Sequence, residues 1–298
     1  MPRSSVIPAP LQPGSRVRVI APSGPSDRAL VLRGMAWLGE RYRVEFDWSI
    51  FEGKGFLAGS DARRLDELNR ALSDPSLSAI VAARGGYGLT RIAHLAEYGE
   101  FRRHPKWIVG FSDVTALHVE AGALGIASVH GPNAAALGRS DEWTRRRFLR
   151  ALEEPTAPAL FAGLRAVRPG FASGVLTGGN LSLLFTCQAV GRLKLPPGGI
   201  LLIEDVTEAS YRVDRMLSAL LASGALDGIS GVVVGDFSDC PDAAGVSVKA
   251  VLEERLSVLN VPVLCGLQAG HARYNDFIQL GAFAELDADA GRLVINPA

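Results

Sequence analysis

The sequence predicts an α/β protein of two domains, and three observations support this prediction. In the first half of the 298-residue chain, short apolar runs alternate with longer amphipathic segments. Such alternation is typical of βαβ units, which build a parallel sheet covered by helices on both faces. In the second half, strand-like runs come with fewer helical ones, which favours a β-rich α+β domain. The length is also long for one domain and suits two.

Each element of the first half follows from the spacing of its apolar residues. Residues 17–20 form a short apolar run before the turn 21–25, which indicates a strand. Residues 28–42 carry apolar side chains at helical spacing. The alternation continues with strands expected over 79–82 and 107–109, and with helices over 62–72, 90–96 and 115–121.

The composition changes between residues 139 and 169, where a charged, helix-like run is followed by several prolines. We therefore expect an N-terminal α/β domain over 1–150, a linker over 151–172 and a C-terminal domain over 173–298. Within the C-terminal domain, strands are expected over 199–203 and 231–234, a helix over 214–221 and a β-hairpin over 277–286.

The bulk composition argues against several classes of partner. The formal net charge is zero and no apolar run approaches the roughly 20 residues of a membrane span, so neither a nucleic acid nor a membrane is expected as a partner. The three cysteines lack C-x-x-C spacing, which favours a reduced, cytoplasmic location over a disulfide framework. No His or Cys pair has ligand spacing, so neither a metal nor another cofactor is expected.

The most informative stretch of the chain surrounds Ser112. The apolar run 107–109 ends at Gly110, and helix-compatible sequence begins just after Asp113. A serine at such a turn lies next to a helix N-terminus, where backbone N–H groups can bind a developing oxyanion. The stretch resembles the nucleophile elbow G-x-S-x-G, but Val114 stands where that motif has its second glycine.

A serine nucleophile needs a base, and only five histidines could supply one: His94, His104, His118, His130 and His271. The first two are expected at the surface, and His118 faces mostly away from Ser112. His130 and His271 follow strand-like runs and could line a cleft.

Glu204 follows the buried run 200–203 and could orient a histidine base. The alternative is that Glu204 and Asp205 cap the next helix. The glycine turn 84–88 matches neither G-x-G-x-x-G nor the Walker motif, so a nucleotide phosphate is not indicated. Its backbone N–H groups could instead bind an oxyanion.

Five stretches together resemble one family, the LD-carboxypeptidases. These serine peptidases include the muropeptide LD-carboxypeptidases and the microcin C immunity peptidases. The stretches run in family order from about residue 16 to 290, and comprise 19–25, 83–88, 110–117, 202–206 with 211–215, and 270–271 with the following hairpin. Residues 130–132 and 177–181 also look like family motifs.

The resemblance implies a fold and a catalytic apparatus. The expected fold is an N-terminal flavodoxin-like parallel-sheet domain plus a smaller C-terminal β-rich domain, with the active site in the interdomain groove. The implied triad is Ser112, Glu204 and His271, and the implied oxyanion donors are the backbone N–H groups of Gly86 and Asp113. The resemblance also implies a homodimer.

The activity implied by the resemblance is release of terminal D-alanine from a small cell-wall-derived tetrapeptide by cleavage of an L,D peptide bond. This activity belongs to murein recycling and proceeds through an acyl-enzyme. From charge and position, we further expect Arg84, Asn180 and Arg212 to hold the carboxylates of the substrate.

Three other functions compete with this one. An immunity-type peptidase would cleave an aminoacyl-nucleotide and would stack an aromatic side chain on the base. The stretch 156–174 has no tryptophan, although Trp143 lies nearby. A non-catalytic binding protein of the same fold and a nucleotide-binding α/β protein are the other two alternatives.

Overall fold

The computed structural model describes residues 5–296, so the outermost ends of the two predicted domains, 1–4 and 297–298, lie outside the described residues. The chain first forms β1 (Arg16–Ile20), α1 (Arg28–Gly39), β2 (Arg43–Glu45), α2 (Asp61–Ser73), β3 (Ala79–Ala82), α3 (Gly99–Arg103), β4 (Trp107–Gly110), α4 (Thr115–Ala123), β5 (Ser128–His130), α5 (Ala134–Leu137) and α6 (Glu142–Glu153). It continues with β6 (Ala159–Ala162), β7 (Arg165–Arg168), β8 (Phe171–Asn180), α7 (Leu181–Ala189), β9 (Ile200–Val206), α8 (Ser210–Ala222), β10 (Gly231–Ser238), α9 (Val248–Ser257), β11 (Val263–Cys265), β12 (Ile278–Leu280), β13 (Phe283–Asp287) and β14 (Arg292–Ile295). Among the described residues, no helix is long and apolar enough to cross a lipid bilayer.

The first sheet has the strand order β12-β5-β4-β3-β1-β2. Strands β1 to β5 are parallel, in the order 2-1-3-4-5 that defines a flavodoxin-like sheet. Every residue of β3 and β4 is buried, as expected where helices cover both faces. The predicted N-terminal fold is therefore confirmed. Ligands of such sheets bind at the carboxyl ends of the strands, where the strand order reverses.

The second sheet has eight strands in the order β6-β14-β13-β8-β9-β10-β11-β7. Its central strands β8 to β11 are parallel, whereas β6, β14, β13 and β7 pair antiparallel at the two sides. This confirms a second, β-rich layer. Strands β6 and β7 come from the stretch 151–172 expected as a linker, and they form both edges of the sheet.

Two local predictions are wrong. The predicted hairpin over 277–286 does not form, because Ile278 pairs with His130 in the first sheet and Phe283 pairs with Val175 in the second. The chain crosses between the sheets at Gly281, whose positive φ of 87° favours glycine. The predicted helix over 90–96 is instead two short 3-10 turns, Leu89–Arg91 and Ala93–Leu95. Alternating apolar residues indicate a strand, but the strand with which it pairs is decided by the tertiary structure.

Helices α1 and α5 are in direct backbone contact, and this contact gives a stability prediction. A Cβ at Gly34 would overlap the carbonyl oxygen of Ala134, whereas a Cβ at Gly39, at the end of the same helix, would meet nothing within 4 Å. We expect Gly34→Ala to lower the free energy of unfolding by roughly 1–3 kcal/mol, because overpacking forces the helices apart. Gly39→Ala, the matched control, should leave it unchanged or slightly higher. Equal urea midpoints for the two variants would contradict this packing.

Candidate active site

Ser112 lies immediately after β4 in a strained backbone conformation. Its φ is +64°, and it begins the 3-10 turn Ser112–Val114 that leads into α4. A positive φ is uncommon for a residue with a Cβ and costs on the order of 1–3 kcal/mol, so it persists where the surroundings enforce it. A strained serine between a parallel strand and a helix is the backbone arrangement of a nucleophile elbow.

Glycines allow the elbow to pack tightly. A Cβ at Gly85 would lie 2.9 Å from the Cβ of Ser112 and 3.1 Å from the carbonyl oxygen of Phe111. A Cβ at Gly110 would lie 2.8 Å from a methyl group of Val114. Val114, which replaces the second glycine of the elbow motif, thus fits because Gly110 has no side chain. In the same way, Gly85 allows the turn 84–88 to pack against Ser112.

Two backbone N–H groups beside Ser112 are free to bind an anion. The amide of Gly86 (φ +110°) and that of Asp113 donate no hydrogen bond to any other described residue. The Asp113 amide is free because it lies in the first turn of a helix, where N–H groups have no intrahelical acceptor. Such an arrangement can stabilise a developing oxyanion.

Buried charged side chains hold the glycine turn in place. The Asp113 carboxylate accepts a hydrogen bond from the Leu89 amide at 2.8 Å, and burial raises the pKa of this carboxyl. The fully buried Arg64 of α2 donates to the carbonyl oxygens of Gly88, at 3.0 Å, and of Pro22. The sequence reasoning missed Arg64, because an arginine on an amphipathic helix ordinarily faces solvent.

Glu204 of the second sheet forms a hydrogen-bonded pair with His271, which lies in the loop between β11 and β12. The Nδ1 atom of His271 lies 2.8 Å from Oε2 of Glu204, which is completely buried on β9. Burial alone raises the pKa of Glu204, but the imidazoles of His130 and His271 together outweigh burial and lower it to about 2. The ionised carboxylate accepts the Nδ1–H of His271, which leaves Nε2 available as a base. A Cβ at Gly270 would lie 2.8 Å from Oε2, so this contact requires glycine.

The two halves of the site meet in a groove between the sheets. Ser112, Gly86 and His271 line one cavity of about 510 Å³. The Phe111 ring lies 4.9 Å from the His271 ring, measured between centroids, and both side chains also line an adjoining cavity of about 450 Å³. No hydrogen bond joins Ser112 to His271 in the described structure. The structure thus places Ser112 and His271 at one cavity, with the buried Glu204 hydrogen-bonded to His271.

The helix-capping alternative for Glu204 and Asp205 does not describe their contacts. Helix α8, which follows them, begins without a side-chain cap. Asp205 instead accepts hydrogen bonds from the backbone N–H of Ser182 and from Nδ2 of Asn180, both at 2.9 Å, at the start of α7. The Glu204 carboxylate instead lies beside the imidazoles of His130 and His271.

The predicted substrate-binding residues occupy three different environments. Arg84 lines the same cavity as Ser112 and donates one hydrogen bond, to the carbonyl oxygen of Pro25 at 2.7 Å. Asn180 caps α7 with its oxygen and donates to Asp205, whereas Arg212 is an exposed residue of α8 beside Glu208. Only Arg84 of the three is therefore brought to the cavity.

Arg139 was not anticipated from the sequence. It lines both cavities of the groove, beside His271. It follows a short helix in the stretch where the composition changes, so no motif marked it. Among residues 5–296, no group of three or more His, Cys, Asp or Glu side chains is arranged to hold a metal ion.

Two family patterns match the chain in order. The LD-carboxypeptidase N-terminal domain matches residues 17–131, and the LD-carboxypeptidase C-terminal domain matches residues 173–286. A putative carboxypeptidase of Synechocystis sp. is 37% identical, over 98% of this chain and 98% of its own. The murein tetrapeptide carboxypeptidase of Pseudomonas aeruginosa is 31% identical, over 78% of this chain and 80% of its own.

Solved structures share the fold over nearly the whole chain. The muramoyltetrapeptide carboxypeptidase from Oxalobacter formigenes has a TM-score of 0.85 at 28% identity, covering 95% of this chain and 99% of its own. The microcin C7 self immunity protein MccF, in complex with aspartyl sulfamoyl adenosine, has a TM-score of 0.88 at 22% identity, covering 98% and 99%. At 22% identity, the similarity to MccF shows a shared fold only.

Proposed function

The chain belongs to the LD-carboxypeptidase family and is a serine-type carboxypeptidase, and we propose that Ser112, His271 and Glu204 are its catalytic triad. The proposed reaction releases terminal D-alanine from a cell-wall-derived tetrapeptide by hydrolysis of an L,D peptide bond. The observation that carries the proposal is a strained serine that shares one cavity with His271, which is hydrogen-bonded to the buried Glu204. Relatives named for murein tetrapeptides support the substrate.

The chemistry follows from the positions of these groups. Ser112 Oγ attacks the scissile carbonyl carbon while His271 Nε2 takes its proton, and Glu204 stabilises the imidazolium that forms. The oxyanion is bound by the free amides of Gly86 and Asp113. His271 then returns the proton to the leaving amine of D-alanine, and water, activated by the same imidazole, hydrolyses the acyl-enzyme.

Arg84 is the proposed contact for a substrate carboxylate. It is exposed in the cavity that contains Ser112, and most of its guanidinium N–H groups remain free beside the single bond to Pro25. A guanidinium binds a carboxylate by paired hydrogen bonds, which fixes both position and orientation. Arg139, which lines the same cavity, adds a second positive charge.

We also propose a cellular location and an oligomeric state. The three cysteines are free thiols, which supports a reducing, cytoplasmic location. A homodimer is proposed from the resemblance to the family.

A second candidate substrate is an aminoacyl-nucleotide. The observation that favours it is an exposed aromatic pair: the rings of Trp143 and Tyr274 lie 6.1 Å apart, and Tyr274 lines the adjoining cavity. Aromatic side chains at the mouth of a groove can stack on a nucleobase. The murein tetrapeptide is preferred as substrate because a relative at 31% identity is named a murein tetrapeptide carboxypeptidase.

The two substrates can be separated directly. Purified protein is incubated with an L,D-linked muropeptide tetrapeptide or with an aminoacyl-sulfamoyl nucleoside, and the released amino acid or nucleoside is quantified by mass spectrometry. Release of D-alanine with kcat/KM at least a hundredfold above that for the nucleotide is expected. A preference in the other direction would replace the murein proposal with the second candidate.

Substitution of Gly85 tests the packing of the elbow against the glycine turn. Gly85→Ala is expected to lower kcat about 100-fold, because the new methyl group displaces Ser112 or the oxyanion amides by a fraction of an ångström to an ångström. Gly122→Ala on α4 is the control, since a Cβ there would meet nothing within 4 Å. Turnover by Gly85→Ala within threefold of the control would show that the close approach is unimportant.

A further inference from the structure

His130 is a buried histidine that the proposed triad does not use. It ends β5 of the first sheet, where it pairs with Gly110 of β4 and with Ile278 of β12. Its side chain is completely buried, yet neither ring nitrogen has a hydrogen-bond partner in the described structure. A buried polar group without a partner costs about 1–3 kcal/mol, so its retention needs a reason.

The His130 ring lies close to the carboxylate of Glu204, the proposed triad acid. Nε2 of His130 lies 3.5 Å from Oε1 of Glu204, and Oε1 is itself buried without a hydrogen-bond partner. The other oxygen, Oε2, is the one that pairs with His271. The Glu204 carboxylate therefore lies between two imidazoles, His130 at the end of β5 and His271 in the loop after β11.

A second buried histidine cannot take this role. His118 of α4 has Nε2 2.9 Å from the carbonyl oxygen of Gly110, to which it must donate, and its Nδ1 accepts from the Ser128 hydroxyl at 2.9 Å. Burial lowers the pKa of His118 to about 3, so its ring is neutral and both nitrogens are occupied. This leaves His130 as the donor that can reach Oε1.

We propose that His130 is a positioning residue whose Nε2–H holds Oε1 of Glu204, so that Oε2 stays aimed at His271. The inference rests on the proposed function, in which Glu204 is the triad carboxylate. A carboxylate oxygen can only accept, so the contact requires a proton on Nε2 of His130. Because His130 lies on the sheet that carries Ser112, the contact also sets the carboxylate relative to the nucleophile.

The expected effect of His130 on pH dependence has a definite sign. A donor to Oε1 withdraws negative charge from the carboxylate; without it, Glu204 attracts the His271 proton more strongly. The acid limb of the kcat/KM profile then moves to higher pH. The ionisable groups around this contact are Glu204, His271, the neutral His118 and Asp236 of β10, whose pKa is raised to about 6 by burial and by the nearby Glu204 charge.

The test compares two substitutions of similar size. His130→Met removes the donor, and we expect kcat to fall about tenfold, KM to stay within twofold and the acid limb to rise by about one pH unit, as for loss of one hydrogen bond to a charged group. His130→Gln keeps a donor of the same reach and should restore both kcat and the profile. An unshifted acid limb in His130→Met, or a His130→Gln variant that is equally impaired, would overturn the proposal.

A measurement on the unmutated protein covers the case in which the variants do not fold. With ¹⁵N-labelled histidine, the NMR signals of His130 should show a proton on Nε2 at neutral pH. An unprotonated Nε2 would overturn the proposal. This measurement needs no substrate: if the proton is present but the unmutated protein releases no D-alanine, the proposed function fails and the His130–Glu204 contact stands.

Discussion

Replacing Ser112 with alanine is expected to lower kcat for D-alanine release by roughly 10⁶-fold, with KM changed little. Ser112 lines one cavity with Gly86 and with His271, the proposed base, so loss of its hydroxyl removes the proposed acyl-enzyme route. The residual rate would come from the amides and from substrate binding alone. Continuous detection of D-alanine by a coupled oxidase, with a detection floor below this residual rate, measures the effect.

Ser140→Ala is the matched control for this substitution. The Ser140 side chain lines the adjoining cavity, but its hydroxyl donates to the carbonyl oxygen of Leu137 at 2.8 Å. It should retain turnover within a few-fold of the unmutated protein. Comparable thermal unfolding of the two variants shows that the fold is intact. Activity of Ser112→Ala above one per cent would mean that another group is the nucleophile.

Glu204→Gln is expected to lower kcat by about 10⁴-fold, the size of effect seen when the carboxylate of such a triad becomes an amide. The amide can donate to Nδ1 of His271, which leaves the ring proton on Nε2 and removes the base. The substitution also deletes the negative charge that favours the imidazolium, so the acid limb of kcat/KM should move to lower pH. This direction is opposite to the one expected for His130→Met, and pH profiles of both variants measure it.

The neighbouring carboxylate provides the control for Glu204. Asp205 binds Ser182 and Asn180 at the start of α7 and does not line either cavity of the groove. Asp205→Asn should therefore lower the unfolding temperature while kcat stays within about tenfold. A Glu204→Gln variant no slower than Asp205→Asn would remove Glu204 from the triad.

Much of the fold could be predicted from the sequence, because its signals are local. The apolar run of β4, Gly110 and the helix after Asp113 define a strand–turn–helix unit by themselves. The pairing of β12 with β5 could not be predicted, since Ile278 and His130 are 148 positions apart and their contact depends on both sheets being in place. The crossing at Gly281 looks, in the sequence, like any hairpin turn.

The site was predictable to a similar degree. The family motifs indicated Ser112, Glu204 and His271, and the structure brings them to one groove. Asn180 was expected to bind substrate, yet its amide oxygen caps α7 and its amide nitrogen donates to Asp205 of β9. Arg64 and the His130–Glu204 contact could not be predicted, because each joins groups across the fold, and spacing along the chain carries no information about such contacts.

Hydrolysis of an L,D bond is tested most directly with two tetrapeptides that differ only in the configuration of the terminal alanine. The unmutated protein is incubated with each peptide, and release of alanine is followed with a readout that detects both enantiomers. We expect rapid release from the peptide that ends in D-alanine, and at least a thousandfold slower release from the one that ends in L-alanine. Equal rates, or a preference for the L-terminal peptide, would contradict hydrolysis of an L,D bond by this protein.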